Sequence, residues 1–80
     1  MISLIYVLMA SIRIALRDFK GAIDDCTRAI EIKPKFAAAY NARGLVKIML
    51  GQKDSGCMDL KKAGELGIKS ANEMIKKYCQ

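Results

Sequence analysis

The sequence predicts an all-helical protein built from stacked helix pairs, and three observations support this prediction. Apolar residues recur at spacings of three and four, which places them on one face of a helix. No run of residues alternates between apolar and polar as a half-buried strand requires. The chain also repeats itself: when residue i is aligned with residue i+34, eight positions carry the same residue. Such a period is typical of arrays whose units bury their apolar faces against one another.

The identical pairs are spread over the whole period. They are Tyr6/Tyr40, Ile14/Ile48, Leu16/Leu50, Asp25/Asp59, Ala29/Ala63, Glu31/Glu65, Lys35/Lys69 and Ala37/Ala71. Conservative pairs such as Arg13/Lys47 lie between them. Stacked arrays usually offer a surface to partners, so the repeat also favours a binding function.

The first helix pair is predicted to end at a proline. Its first helix extends over about residues 2–16, and Arg17 and Asp18 form a tight turn in which Asp18 caps the next helix. The second helix extends over about residues 19–32, where apolar residues recur at helical spacing. Pro34 closes the unit, because the residue before a proline is disfavoured in the helical region.

The second pair and a fifth helix follow the same scheme. A third helix is predicted over about residues 36–50, with Gly51 as its stop, and a fourth over about residues 53–66. Ser70 with Glu73 three residues later forms a capping box, which predicts the start of a fifth helix. The polar outer side of this helix suits a lid that ends the stack.

Small residues are predicted where two helices cross, because a missing side chain lets backbones approach closely. These residues are Ala22, Ala29, Gly44, Gly56 and Ala63. With Pro34 and Tyr40 in place, residues 16–44, LRDFKGAIDDCTRAIEIKPKFAAAYNARG, resemble the tetratricopeptide repeat. The chain departs from the family pattern at Arg17, where a turn glycine is usual, and at Ile68, where a proline would close the second unit.

The resemblance implies an all-α fold, a right-handed α-solenoid of two helix hairpins with a C-terminal capping helix. In this interpretation residues 1–80 form one domain. The first repeat covers residues 3–36, the second covers residues 37–70, and the capping helix covers residues 71–80.

By the same resemblance, the first helix of each pair lines a concave groove that binds a segment of a partner protein. The groove positions are Leu4 and Val7 on the first helix, and Ala38, Asn41, Leu45, Ile48 and Met49 on the third. This floor is mostly apolar, so the expected ligand is an extended or helical peptide with apolar side chains. The flexible Met49 suits an accommodating surface, and Asn41 is able to hydrogen-bond a peptide backbone.

The apolar first helix predicts an alternative role, self-association. We expect Tyr6, Met9 and Ala10 to face the second helix, leaving Leu4, Ile5, Val7, Leu8 and Ile12 partly uncovered. Two short units are also fewer than the three that repeat arrays normally need for stability. A homodimer, or exchange of the first helix between two copies, would supply the missing neighbour.

The formal net charge of +6 arises entirely from residues 33–80. A basic half attracts nucleic acid or acidic protein. However, the Lys and Arg residues are spread through the helices, with no arginine-rich run and no aromatic stacking platform. A nucleic-acid-binding accessory domain is therefore the less favoured alternative, and the expected partner is a protein or peptide rather than nucleic acid or a membrane.

No enzyme, metal site or cofactor is predicted. The chain contains no His, the usual acid, base and metal ligand. Asp24 and Asp25 are adjacent in a helix, so their carboxylates point about 100° apart and do not converge. Cys57 has no His to activate it as a nucleophile.

Three cysteines, at positions 26, 57 and 79, form no CxxC motif, which disfavours a disulfide framework and zinc alike. We expect three thiols packed as small apolar groups in a reducing, cytoplasmic compartment. The alternatives are a Cys57–Cys79 bridge and a secreted or periplasmic location. Residues 1–12 carry no charge, but Arg13 ends this run too early for a spanning helix, and no basic start precedes it as in a signal peptide.

Overall fold

A computed structural model describes residues 2–79, and these residues form five α-helices and no strand. The helices are α1 (Ile2–Ala15), α2 (Phe19–Ile32), α3 (Ala37–Met49), α4 (Lys53–Glu65) and α5 (Lys69–Tyr78). The all-helical prediction is therefore confirmed for this part of the chain. Each helix packs on the next one in sequence, and α1 also contacts α3. Gln80, the last residue of the predicted capping helix, lies outside the described residues.

The turns that end α1 and α3 have the same geometry, one repeat apart. In each turn, a backbone N–H reaches back over a residue with positive φ to a carbonyl in the last turn of the helix, which is a Schellman cap. These bonds join Asp18 to Arg13 at 2.7 Å and Gln52 to Lys47 at 2.8 Å. The residue with positive φ is Arg17 (61°) in the first turn and Gly51 (82°) in the second. The sequence repeat thus corresponds to a repeat of backbone conformation.

One of the two predicted side-chain caps is present. Asp18 Oδ1 accepts a hydrogen bond from the backbone N–H of Gly21 at 3.1 Å, so the cap of α2 is confirmed. The capping box at Ser70 is wrong: α5 begins at Lys69, its N-cap is Ile68, and no side chain caps it. Ile68 packs on the apolar core, and its N–H bonds to the carbonyl of Ala63. This packing starts the helix before Ser70.

The core consists of two apolar clusters, one for each helix pair. Ala10, Ala22, Cys26 and Val46 form the first, where α1, α2 and α3 meet. Leu60, Ala63 and Ala71 form the second, where α4 meets α5. All seven side chains are inaccessible to solvent. The small residues predicted at the helix crossings are all buried, as expected: Ala22, Ala29, Gly44, Gly56 and Ala63.

The expectation of three free thiols is wrong. Cys57, near the start of α4, and Cys79, just after α5, form a disulfide with a Cα–Cα distance of 5.9 Å. The reason is tertiary, because α5 folds back along α4 and brings two cysteines 22 residues apart into contact. Cys26 is a free, buried thiol, and burial raises its pKa to about 11, so it stays protonated and unreactive.

Candidate functional site

An apolar groove lies between α3 and α5. Its volume is about 420 Å³, and its wall consists of Leu45, Ile48, Met49, Met74 and Tyr78. The first three come from α3, where their spacing places them on one side of the helix. The other two come from α5, one helical turn apart. The groove is thus formed by two helices that are not consecutive in the chain.

The walls of the groove rest on the second core cluster. Leu45, Ile48 and Met74 each pack against this buried cluster with part of their surface, which fixes their positions. Met49 and Tyr78 form the rim: Met49 is 54% exposed and Tyr78 is 39% exposed. Lys77 Nζ lies 5.3 Å from the centre of the Tyr78 ring, so one edge of the groove is cationic. A firm apolar floor with an exposed methionine at its rim suits an apolar ligand side chain, because the methionine side chain is unbranched and adapts its shape.

The position of α5 decides whether this groove exists. Ala71 is fully buried at the start of α5, and the disulfide to Cys57 fixes the other end through Cys79. Between them, Gly64 of α4 leaves room for the side chain of Asn72, since a Cβ on Gly64 would collide with that amide. The helix is therefore anchored at both ends, with Met74 and Tyr78 between the anchors.

The structure brings together three of the seven residues predicted for the groove: Leu45, Ile48 and Met49. Leu4, Val7, Ala38 and Asn41 are absent from its wall as far as residues 2–79 define it. Ala38 and Asn41 continue the same face of α3 toward its N-terminus and are half-buried. On α1, Leu4 is exposed and Val7 is half-buried.

Asn41 is the polar residue of this face. Its Oδ1 is buried, and no hydrogen-bond donor of the described residues reaches it. A buried carbonyl without a donor is unfavourable by about 1–3 kcal/mol. The role of Asn41 as a hydrogen-bonding group for a peptide backbone stays a prediction.

Met74 and Tyr78 are not among the residues predicted for the groove, because the sequence predicts α5 only as a lid. A signal was present, because Ala71, Met74, Ile75 and Tyr78 recur at spacings of three and four and so predict an apolar stripe on α5. The pattern does not show which helix of the fold this stripe faces. Met74 of α5 packs on the same buried cluster as Leu45 and Ile48 of α3 because α5 folds back on α4, which is a tertiary feature.

Behind the groove, a charged network ties three helices together. Arg43 donates from Nε and Nη2 to the two carboxylate oxygens of Asp59, both at 2.8 Å, and from Nη1 to Thr27 Oγ1 at 3.2 Å. Lys47 Nζ lies 3.1 Å from the same carboxylate and donates to Ser55 Oγ at 2.8 Å. The hydrogen bonds with Asp59 raise the pKa of Arg43. Because the carboxylate is buried and fully paired, this cluster is structural.

The same ion pair occurs in the first helix pair. Arg13 Nε lies 2.9 Å from Asp25 Oδ2, one repeat before the contact of Lys47 with Asp59. The Arg13 contact is an ion pair without hydrogen-bond alignment, since Asp25 Oδ2 has no hydrogen-bond partner in the part of the chain described. The repeated aspartate of the sequence is therefore explained by a repeated structural contact.

Within residues 2–79, no three Cys, Asp or Glu side chains come close enough together to hold a metal ion. None of the five helices described is both long and apolar enough to cross a membrane. The sequence matches no protein-family model, and no solved structure matches the chain at a significant level.

Proposed function

We propose that this chain is a protein-interaction module of the tetratricopeptide type, two helix pairs of a right-handed solenoid followed by a capping helix. The proposal is supported by the coincidence of sequence and backbone repeats. The Schellman turns at Arg17 and Gly51 are one period apart, and so are the ion pairs of Asp25 and Asp59. Units that repeat in this way stack and present a continuous surface to a partner.

The groove between α3 and α5 is the binding site in this proposal, and it is the observation that carries the function. Its volume of about 420 Å³ falls in the range of ligand sites, about 300–1,000 Å³. The ligand is a peptide segment that inserts one or two large apolar side chains against Leu45, Ile48 and Met74. Its backbone continues along α3 toward the half-buried Asn41.

The charge of the protein around the groove further restricts the class of peptide that it favours. Residues 33–80, which form the groove, carry all of the net charge of +6, and Lys77 stands beside Tyr78 at the rim. A segment that combines apolar anchors with flanking Asp or Glu is therefore favoured over a basic one. Rim charges of this kind act mainly on the association rate, which should fall as salt is added.

Methionine methyl groups provide a direct test. Peptides selected from a displayed random library on the full chain would be titrated into protein labelled with ¹³C at its Met methyl groups. We expect the signals of Met49 and Met74, which lie in the groove, to shift. The signal of Met58, exposed on α4, should stay in place. Shifts at Met58 with none at Met49 and Met74 would place the binding site elsewhere.

A pair of variants completes the test. Met49→Glu puts a charge on the groove rim, and Met58→Glu makes the same change at an exposed position outside it. We expect Met49→Glu to weaken peptide binding by at least tenfold while Met58→Glu leaves it unchanged, with equal helicity in both. Equal affinities of the two variants would contradict the proposal.

We infer the cellular compartment of the protein from its cysteines. The cytoplasmic assignment depended on three free thiols, and the Cys57–Cys79 bond removes that support. Disulfides persist in oxidising compartments, so the bond favours the secreted or periplasmic alternative. Alkylation of the chain in intact cells, followed by mass analysis, should show Cys57 and Cys79 protected from reagent until a reductant is added. Alkylation of both Cys57 and Cys79 without reductant would contradict this inference and favour the cytoplasm.

A further inference from the structure

One face of α1 is apolar, exposed and continuous. Its residues recur at spacings of three and four along the helix and its last turn, and they are Ile2, Ile5, Leu8, Met9, Ile12 and Leu16. We call these six residues the α1 stripe. The buried residues Ser3 and Ala10 lie on another side of α1, toward α2. The expectation that Met9 faces α2 is wrong, since Met9 is exposed and belongs to the stripe.

The internal repeat shows that this face is built to be covered. One period later, Ile5, Leu8 and Ile12 correspond to Ala39, Ala42 and Val46 on α3. In α3, Ala39 and Val46 are fully buried, and Ala42 packs on the first core cluster, which includes Ala22 and Cys26 of α2. In α1, no preceding helix of the described chain covers the equivalent residues, which are 54%, 55% and 62% exposed.

We propose that the α1 stripe is a dimer interface, covered by the α1 stripe of a second copy of this chain. The α1 stripe of a second copy matches this face in length and apolar character, whereas the groove between α3 and α5 is shorter and has a cationic rim. In α3, the equivalent face is covered by α2, but α2 already packs between α1 and α3, and α4 packs between α3 and α5. The residues also differ in size: α3 carries Ala39 and Ala42 where α1 carries Ile5 and Leu8. Large side chains of this kind interdigitate with those of an equally apolar helix.

The area of the stripe fits such a dimer. Six large side chains that are each roughly half exposed present on the order of 600 Å² of apolar surface, which equals the largest patch found on a typical monomer. Two copies together would bury on the order of 1,200 Å², the lower end of the range for stable interfaces. A depression of about 380 Å³ beside Met9, Ile12 and Leu16 adds space for a side chain of the partner copy.

Charge also favours contact through α1. Residues 1–32 are neutral overall, while residues 33–80 carry the net charge of +6, so two copies repel least when α1 meets α1. The one charged residue within α1 is Arg13, and it is neutralised by Asp18 at 2.6 Å and Asp25 at 2.9 Å. Arg13 and Asp18 border the depression beside the stripe, and their ion pair compensates the charge nearest to the interface.

The two helices should run antiparallel about a two-fold axis near Leu8. Among the described residues next to the stripe, Arg17, in the turn after α1, is a basic residue at a position that the structure leaves exposed. A parallel pair would bring both copies of Arg17 to the same end, whereas an antiparallel pair separates them by about 20 Å, the length of a 14-residue helix. At that distance salt screens their repulsion.

Sedimentation equilibrium of the full chain tests the dimer. We expect a mass twice the 8.8 kDa of one chain at micromolar concentration. Ile5→Glu combined with Ile12→Glu should weaken the dimer by at least 100-fold, with the five helices retained by circular dichroism. Met58→Glu, an equally exposed apolar position on α4, should leave the dimer intact. A wild-type chain that stays monomeric at about 1 mM, or a dimer that survives the double change, would overturn the proposal.

Cross-linking tests the arrangement. Under mild oxidation, Leu8→Cys should form a disulfide between copies, because Leu8 lies next to the axis. Leu16→Cys should not form one, because the two copies of residue 16 lie at opposite ends of the antiparallel interface. Cys57 and Cys79 are already paired and Cys26 is buried, so the wild-type chain measures the background level of cross-linking between copies. Cross-linking of Leu16→Cys with itself, without cross-linking of Leu8→Cys, would overturn the antiparallel arrangement.

Discussion

Gly44 and Gly56 face each other across the crossing of α3 and α4, with no room for a methyl group on either. A Cβ on Gly44 would lie 2.8 Å from the carbonyl oxygen of Gly56, and a Cβ on Gly56 would lie 2.7 Å from the carbonyl oxygen of Gly44. Both obstacles are backbone atoms, which a rotamer change cannot move. One repeat earlier, Ala10 and Ala22 occupy the equivalent positions and are fully buried. The second helix pair is therefore more closely packed than the first at this crossing.

Gly44→Ala should destabilise the protein by about 1–3 kcal/mol, because the added methyl group forces α3 and α4 apart. This loss should exceed the gain in helix propensity, which is about 1 kcal/mol for Gly to Ala. Gly64→Ala is the control, since its Cβ would meet only the side chain of Asn72, which can rotate. Urea unfolding measures the stability of both variants. Equal effects of the two changes would mean that the crossing is not close-packed.

Arg43→Ala should destabilise the protein by about 2–4 kcal/mol, because it leaves the buried carboxylate of Asp59 with Lys47 as its remaining ionic partner. Arg43→Lys should have a smaller effect, since it keeps the charge but loses the bidentate geometry. Arg28→Ala removes an exposed arginine from α2 and should stay within about 0.5 kcal/mol of wild type. Thermal and urea unfolding would compare the three. A similar loss for Arg28→Ala and Arg43→Ala would contradict the role of the buried pair.

The helices and their crossings were predictable from the sequence because local rules determine them. Apolar spacing together with cap, turn and stop residues placed all five helices to within about two residues, and the small residues marked the crossings. Asp18 was recognised as a cap because its side chain acts on its own helix. The start of α5 was missed for the opposite reason: burial of Ile68, a tertiary effect, outweighed the local preference of Ser70.

The candidate site was predicted only on its α3 side. Leu45, Ile48 and Met49 share one helical face, which any spacing rule recognises. Met74 and Tyr78 complete the groove from α5, and their contribution depends on how far α5 folds back. The disulfide between Cys57 and Cys79 was predicted only as the alternative, since no sequence rule gives the distance between two cysteines 22 residues apart.

Asp18 should make the protein sensitive to acid. The hydrogen bond from Gly21 and the ion pair with Arg13 lower the pKa of Asp18 in the folded state. Its contribution to stability is therefore complete above its unfolded pKa, near 3.8, and is lost as the pH falls through the lower folded value. Asp18→Asn keeps a capping side chain but removes the charge. We expect its melting temperature to be below that of wild type at pH 6 and to converge with it near pH 2.

The control for this experiment is Asp24→Asn, which neutralises an exposed carboxylate on the same helix. Its difference in melting temperature from wild type should be smaller at pH 6 than that of Asp18→Asn. A gap between wild type and Asp18→Asn that persists unchanged at pH 2 would show that the amide disturbs the turn itself rather than the charge.

Arg17→Gly should stabilise the protein by about 1 kcal/mol. Arg17 adopts a φ of 61°, a left-handed conformation that is unfavourable by about 1–2 kcal/mol for a residue with a Cβ, while glycine adopts it readily. The gain is reduced by the larger entropy of glycine in the unfolded chain. The converse change, Gly51→Ala at the equivalent turn, where φ is 82°, should destabilise by a similar amount. Urea unfolding measures both variants. The free energy of unfolding must rise for Arg17→Gly and fall for Gly51→Ala.

Loss of the Cys57–Cys79 bond should weaken both the fold and the groove. A loop of this length stabilises by about 3 kcal/mol through the unfolded chain. Without the bond, the last turn of α5 is free to separate from α4, and Tyr78 then leaves the groove wall. We expect the double variant Cys57→Ser with Cys79→Ser to unfold at lower urea concentration and to bind a groove ligand less tightly than wild type.

Reductant supplies the internal control for the disulfide, because it should act on wild type alone. Reduced wild type should match the double variant in stability and affinity, and the variant itself should not respond, since its single remaining thiol, Cys26, is buried and unpaired. If reduction lowers stability but leaves affinity unchanged, α5 holds its position through Ala71 and Ile75 packing alone, and the disulfide acts only on the unfolded chain. The pair of measurements therefore separates stabilisation of the fold from formation of the groove.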